Sequence, residues 1–264
     1  MSGPVYQMVE APPGTPGAYE PRGAALALWK CKAPELVVAG PAGTGKTYAC
    51  CQKLHALLWK YQGAQAVLLR REYKTLIPTV YQTLRKVFGP STPIKAHGGE
   101  HPQWLDWPNG SRLWLAGLDD PGKALSSDRD FVYVNQCEEV TLEDWGVLCS
   151  RATGRAGNSP YPQVMGDCNP SVPWHWIKAR AREGRLVVLE SRHEDNPTLY
   201  DKGEWTPLGL QTLATLDALP GVLRDRLRHG RWVAAEGIVY ELDARIHVLS
   251  GEDLLRLGIA TGVE

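Results

Sequence analysis

Residues 40–47 read Gly40-Pro41-Ala42-Gly43-Thr44-Gly45-Lys46-Thr47, and no other stretch narrows the possible folds as far. Gly, four residues, then Gly-Lys-Thr is the phosphate-loop pattern. An apolar run, Leu36-Val37-Val38-Ala39, precedes it, and a helix-compatible run from Tyr48 to Leu58 follows. Strand, glycine loop and helix, in that order, are what a phosphate cradle needs. Glycines let backbone N–H groups turn toward a polyphosphate, and the helix adds the positive end of its dipole. In such a cradle Lys46 reaches the β- and γ-phosphates, the Thr47 hydroxyl holds Mg²⁺, and the nucleotide-binding stretch runs from Gly40 through Tyr48. The competing reading is a plain glycine turn with Lys46 solvated. With every fixed position present in context, the expected ligand is a nucleoside triphosphate with Mg²⁺.

Strands alternating with helices extend this reading along the chain. Ala66–Leu69 is a second apolar run, ending in Arg70-Arg71. Phe131–Val134, Gln163–Gly166 and Leu186–Leu189 are others, and each ends in a polar motif. Those motifs are Asn135-Gln136-Cys137-Glu138-Glu139, Asp167-Cys168-Asn169-Pro170 and the stretch from Glu190 to Pro197. Polar residues at the C-terminal ends of parallel strands line the ligand edge of an open sheet. The expected fold is α/β, a P-loop NTPase of the ASCE type, with a mostly parallel central sheet flanked by helices. Thr75–Phe88 reads as a helix that Pro78 starts or interrupts. Gln103–Trp107 and Ser111–Gly117 flank Pro108-Asn109-Gly110, a hairpin signal. Pro207–Leu227 reads as one amphipathic helix carrying a basic tail, Arg224, Arg226, Arg228 and Arg231.

Composition sets outer limits. A chain of 264 residues holds one large α/β domain, or one with a small appendage. Lys+Arg and Asp+Glu balance at 29 each, so no global charge advertises nucleic acid or membrane, although a local basic face suffices for DNA. No window is long and apolar enough to span a bilayer. Met1–Gly17 is rich in Pro and Gly and lacks the charged and apolar regions of a signal peptide, so it reads as an extended arm. Six cysteines without CxxC spacing read as reduced thiols of a cytosolic protein rather than a zinc site.

The second half of a nucleotide-hydrolysing site needs acids at the end of a neighbouring strand. Here Asn135 and Gln136 stand where the pair belongs. Asn135 can bind a metal-bound water through its amide oxygen, whereas Gln136 can only orient water. Glu138 or Glu139 therefore serves as the base, unless both merely begin a helix capped by Thr141. Lys123, Arg129, Arg151 and Arg155 are candidates for the positive charge on the leaving phosphates, with Arg129 set among the catalytic residues. A finger from a neighbouring subunit is the alternative. Tyr19 and Arg22 either flank an adenine ring and its phosphates or only pack the start of a helix that runs through Trp29.

The ordered series of motifs resembles the ATPase part of a tailed-bacteriophage large terminase. The series comprises the phosphate loop, Gly117-Leu118-Asp119-Asp120-Pro121, the acids through Glu139, Asp167–Pro170, Ser191–Pro197, Leu219-Pro220-Gly221 and Gly230-Arg231-Trp232. The resemblance covers roughly Tyr19 to Tyr240. It implies that Lys46 and Thr47 hold nucleotide and Mg²⁺, and that Asp167 and Asn169 couple hydrolysis to domain movement. It implies a core over 19–195, a lid or linker subdomain over 196–235, and, from 236 to 264, the start of a connection to a nuclease domain. Since the chain ends at Glu264, a motor domain without nuclease activity is expected. Implied partners are double-stranded DNA, the portal of a procapsid, a small terminase subunit and further copies in a ring on the portal. In isolation a monomer is expected, and the implied compartment is the host cytoplasm. The basic clusters Lys178-Arg180-Arg182-Arg185 and Arg224–Arg231 either touch DNA phosphates or are solvated helix faces. Two departures stand out: Gln136 sits where the family usually carries an acid, and no adenine-contacting Gln is evident near Arg22. A small-molecule kinase and a nucleotide-gated binding module are the rival functions.

Overall fold

In the computed structural model, residues 19–89, 92–119 and 127–234 are described. The expected arm (1–18), Lys123 and the segment from 236 onward lie outside the described residues. The apolar runs become strands: β1 Glu35–Ala39, β2 Gln65–Arg70, β6 Phe131–Asn135, β7 Gln163–Cys168 and β8 Val187–Glu190. With β3 Lys95–His97, β4 Trp104–Asp106 and β5 Arg112–Gly117 they form one eight-stranded sheet, ordered β3-β4-β5-β2-β6-β7-β1-β8. From β5 to β8 every pairing is parallel, while β3, β4 and β5 pair antiparallel.

The runs are continuous rather than alternating because both faces of the sheet are covered. On one face Leu36, Val38, Leu68, Tyr133 and Met165 pack against α1 (Gly23–Lys30) and α2 (Lys46–Lys60). On the other, Val37, Val67, Leu69, Val132 and Val164 pack against α5 (Leu142–Arg151) and α6 (Trp176–Arg182). A carboxylate pins that second layer. Glu35 accepts two 2.6 Å bonds from the Arg180 guanidinium and one of 2.8 Å from the Trp145 indole. Bidentate pairs of this kind are the strong ones.

The helices meet one expectation and depart from another. Pro78 interrupts its helix, one of the two expected alternatives: α3 (Tyr73–Leu76) runs into α4 (Gln82–Phe88) through a π-turn over Ile77–Tyr81. Proline removes one N–H, and a wider turn absorbs that loss. The expected single helix over 207–227 is two, α7 (Pro207–Asp217) and α8 (Gly221–Leu227), because Pro220 cannot continue the first. Ahead of them β9 (Tyr200–Asp201) and β10 (Glu204–Trp205) form a short hairpin. The described residues through Val233 form one compact unit, so 196–233 belongs to the same unit as the core.

The Asn-Gly hairpin forms where expected, and its turn has a second task. The Asn109 side chain donates to the Leu58 and Trp59 carbonyls at 2.8 and 3.0 Å, satisfying the end of α2. The additional strand β3 is too short and exposed to leave a periodic signal. Lys53 ties α2 to α1 by donating to the Leu28 and Cys31 carbonyls, and burial pushes its pKa down to about 8. No helix among the described residues is long and apolar enough to cross a membrane.

His55, also on α2, is 2% exposed, and neither ring nitrogen has a partner among the described residues. Trp59, Phe88 and Trp107 surround it, and burial pushes its pKa down to about 4. The folded chain therefore holds it neutral, while the unfolded chain protonates it near 6.5. Its full contribution exists above 6.5 and is lost as pH falls toward 4, about 3 kcal/mol in all. Denaturant unfolding at pH 7 and pH 4.5 checks this: His55→Leu should lose markedly less stability on acidification than the parent chain.

Candidate active site

The C-terminal ends of the parallel strands meet at one edge, and the phosphate loop lies there between β1 and α2. Gly45 precedes the helix at φ 84°, a left-handed conformation that costs other residues energy. A Cβ on Gly40 would sit 2.4 Å from the Ser191 carbonyl oxygen, so only glycine lets β1 exit beneath the segment after β8. That segment clamps the loop from outside. Asn196 donates to the Gly43 carbonyl at 2.7 Å, and His193 Nε2 lies 3.0 Å from the Ala42 carbonyl. The Ala42 N–H donates to Leu227 at the end of α8, and the Thr44 hydroxyl donates to the Pro41 carbonyl.

Lys46 is only 7% exposed. Its ammonium folds back onto the Gly40 and Pro41 carbonyls and reaches Asn169 Oδ1 at 3.2 Å. Burial lowers its pKa, and the carboxylates of Asp167 and Glu138 oppose the shift. The Thr47 hydroxyl donates to Asp167 Oδ2 at 2.6 Å. Asp167 Oδ1 accepts from the Tyr133 hydroxyl at 2.8 Å and from the Asn135 amide at 3.0 Å. Lys46, Thr47, Asn135, Asp167 and Asn169 therefore share one site. Asn169, expected to act in coupling, contacts the lysine of the cradle itself.

The fold separates the two glutamates. Gln136 adopts a left-handed conformation (φ 52°, ψ 55°) and turns the chain into a 3-10 turn, Cys137–Glu139. Such strain in a non-glycine residue collects at functional sites. Beyond the turn, Glu138 Oε1 accepts the Asn169 N–H at 3.0 Å, while Oε2 is buried with no hydrogen-bond partner among the described residues. Desolvation drives its pKa up to about 7 against the bond from Asn169, with Asp167 and Glu139 adding to the rise. Glu139 instead faces outward, 3.9 Å from the Arg70 guanidinium. Thr141 caps α5 as expected, but its capping-box partner is Asp144, so both glutamates lie ahead of that helix.

Arg129 requires a correction. It precedes β6, at the N-terminal edge of the sheet, about 20 Å along the strand from Asn135 at 3.3 Å per residue. Its guanidinium contacts Ser127 and lies 5.6 Å over the Trp114 ring. Arg151 joins it through an Arg129 N–H bond to its carbonyl, and Thr153, which bonds the Arg129 carbonyl, carries Arg155 to the same edge. Parallel strands set this outcome: a residue just before one cannot share an edge with a loop just after its neighbour. Arg22 pairs with Asp201 at 3.1 Å, whereas Tyr19 packs edge-on against Tyr48 at 5.5 Å, in the first turn of α2. In the basic clusters, Arg180 is held by Glu35, Arg228 by Asp217 and Arg231 by Asp225. Those three guanidiniums are committed within the chain.

The donor set suits a hard cation accompanying phosphates: an oxygen from Thr47 and a buried carboxylate beside it, the usual mode for Mg²⁺. No cluster of three His, Cys, Asp or Glu side chains able to hold a metal by themselves occurs among the described residues. All six cysteines are free.

Strand β7, lying between the phosphate-loop strand β1 and the strand β6 that carries Asn135, defines an ASCE-type P-loop NTPase fold. Within that class a sequence profile described as phage terminase large subunit matches residues 33–205. The chain belongs to that family. Its fold is similar to the large terminase of a thermophilic bacteriophage, with TM-score 0.67 and 16% identity over 84% of this chain and 56% of that one. The same protein in complex with ADP gives TM-score 0.65 and 17% identity over 85% and 57%. The large terminase ATPase domain of Thermus phage P74-26 gives 0.58 and 12% identity over 81% and 95%. This chain thus spans little more than half the length of the first of these proteins. No curated protein sequence matches it.

Proposed function

We propose that this chain is the ATP-hydrolysing motor of a phage large terminase, which drives double-stranded DNA into a procapsid during assembly in the host cytoplasm. The observation that carries the hydrolytic reading is Glu138. Its Oε2 is buried without a partner among the described residues, at the same sheet edge as Lys46 and next to Asn169. A carboxylate in that state can accept a proton from water. Lys46 leaves its loop carbonyls for the β- and γ-phosphates, and the loop amides and the start of α2 stabilise the charge that develops. Glu138 removes the proton as water attacks the γ-phosphorus, and ADP departs with the displaced electron pair. Asn169, bonded to both Lys46 and Glu138, registers whether the phosphate is present. Mg²⁺, held on the Thr47 side of the loop, would neutralise phosphate charge.

Family membership and the thermophilic-phage terminase in complex with ADP support ATP as the ligand. The same kinship supports a portal, a small terminase subunit and a ring of copies as partners. Arg129, Arg151 and Arg155 lie at the far edge, and a finger from a neighbouring subunit would make turnover depend on assembly. Following the label of γ-³²P-ATP at high protein concentration tests the reaction. Label released as inorganic phosphate supports the motor. Label transferred to a nucleoside would favour a kinase, and intact bound ATP a binding module.

A further inference from the structure

Nucleotide hydrolysis at a phosphate loop calls for a carboxylate near the cation that the loop's hydroxyl holds. The strand expected to supply it, β6, ends in Asn135, which carries no charge. We propose that this carboxylate has moved one strand across the sheet, and that Asp167 at the end of β7 anchors the nucleotide's divalent cation together with Thr47. The inference rests on the nucleotide-binding reading above and gives Asp167 a role distinct from coupling.

Four observations carry it. Asn135 and Asp167 are register partners on adjacent parallel strands, so an acid at 167 stands level with one at 135, about 4.8 Å to the side. The sideways step is toward the loop, because β7 pairs directly with β1 and Asp167 aligns with Val38, two residues before Gly40. Asp167 Oδ2 already lies 2.6 Å from the Thr47 hydroxyl. Its other oxygen is fixed by Tyr133 and Asn135, and Oδ2, which the Asn135 amide also approaches at 3.3 Å, turns toward Thr47 of the cradle.

Energetics explain why the exchange is paired. Asp167 is 3% exposed and Asn135 4%. Two carboxylates side by side at that depth would repel, and one would take up a proton. An amide beside a single carboxylate donates to it instead, keeping one charge and orienting it. A buried carboxylate with no cation to answer would be costly, whereas Lys46 and a divalent ion offset it.

The test is a titration of the whole chain with ATP-γ-S, once with saturating Mg²⁺ and once in EDTA, taking the ratio of the two affinities. The parent chain should bind more tightly with Mg²⁺. Asp167→Asn, which keeps an oxygen for Tyr133, should lower that ratio at least ~10-fold. The exchange N135D/D167N, which conserves the pair's composition, should restore the ratio. Each variant decides alone: an undiminished ratio in Asp167→Asn, or a lost one in the exchange, overturns the assignment while nucleotide binding stands. No binding by the parent chain under either condition is the separate result that removes the nucleotide reading itself.

Discussion

Lys46→Ala should eliminate measurable ATP turnover and weaken nucleotide binding without unfolding the chain. In a phosphate loop this lysine reaches the β- and γ-phosphates, and a hydrogen bond to a charged partner is worth about 1.5–3 kcal/mol. That corresponds to roughly a 10- to 100-fold loss of affinity. Turnover should fall further, by about 10²–10³-fold, because charge on the leaving phosphates grows toward the transition state. Folding should be spared. In the unliganded chain the ammonium is buried against the Gly40 and Pro41 carbonyls, and burial lowers its pKa. Its hydrogen-bond acceptors are neutral carbonyls and an amide, so relief of the desolvated charge should largely offset the lost attraction to Asp167 and Glu138. Thermal unfolding measured beside phosphate release separates the two effects, and hydrolysis at the parent rate would contradict the site.

Glu138→Gln should lower turnover by about 10²–10⁴-fold, the range associated with loss of a general base. Nucleotide binding should persist, because the glutamine oxygen can still accept the Asn169 N–H that Glu138 Oε1 accepts now. Glu139→Gln is the matched control. Its carboxylate is outward and 3.9 Å from Arg70, so its removal should leave turnover within a few-fold of the parent. Single-turnover phosphate release for both variants distinguishes them. Equal losses in the two, or a loss confined to Glu139→Gln, would remove Glu138 from the mechanism.

The phosphate loop and the parallel strands were legible because their signals are local. The loop has a fixed spacing, and strands buried on both faces become unbroken apolar runs such as Leu36–Ala39 and Phe131–Val134. The Asn109-Gly110 turn was legible for the same reason. Strand order leaves no such trace. That β6 and β7 are neighbours, so that Asn135 and Asp167 touch, depends on pairings between segments some thirty residues apart. For the same reason Arg129 looked close to the site in sequence, although a strand's length separates it from the ligand edge. The choice between Glu138 and Glu139 rests on the left-handed turn at Gln136, which composition does not announce. The clamp by His193 and Asn196 had a signal, a polar motif after an apolar strand, but not its target on the far side of the loop.

Isothermal titration of the folded chain with ADP and with ATP-γ-S, in Mg²⁺, puts the phosphate cradle to its most direct test. The account predicts one site per chain for each nucleotide, with the site lost or greatly weakened in Lys46→Ala. A folded parent chain that gives no binding signal with either nucleotide, or a Lys46→Ala variant that binds both as tightly as the parent, would contradict it.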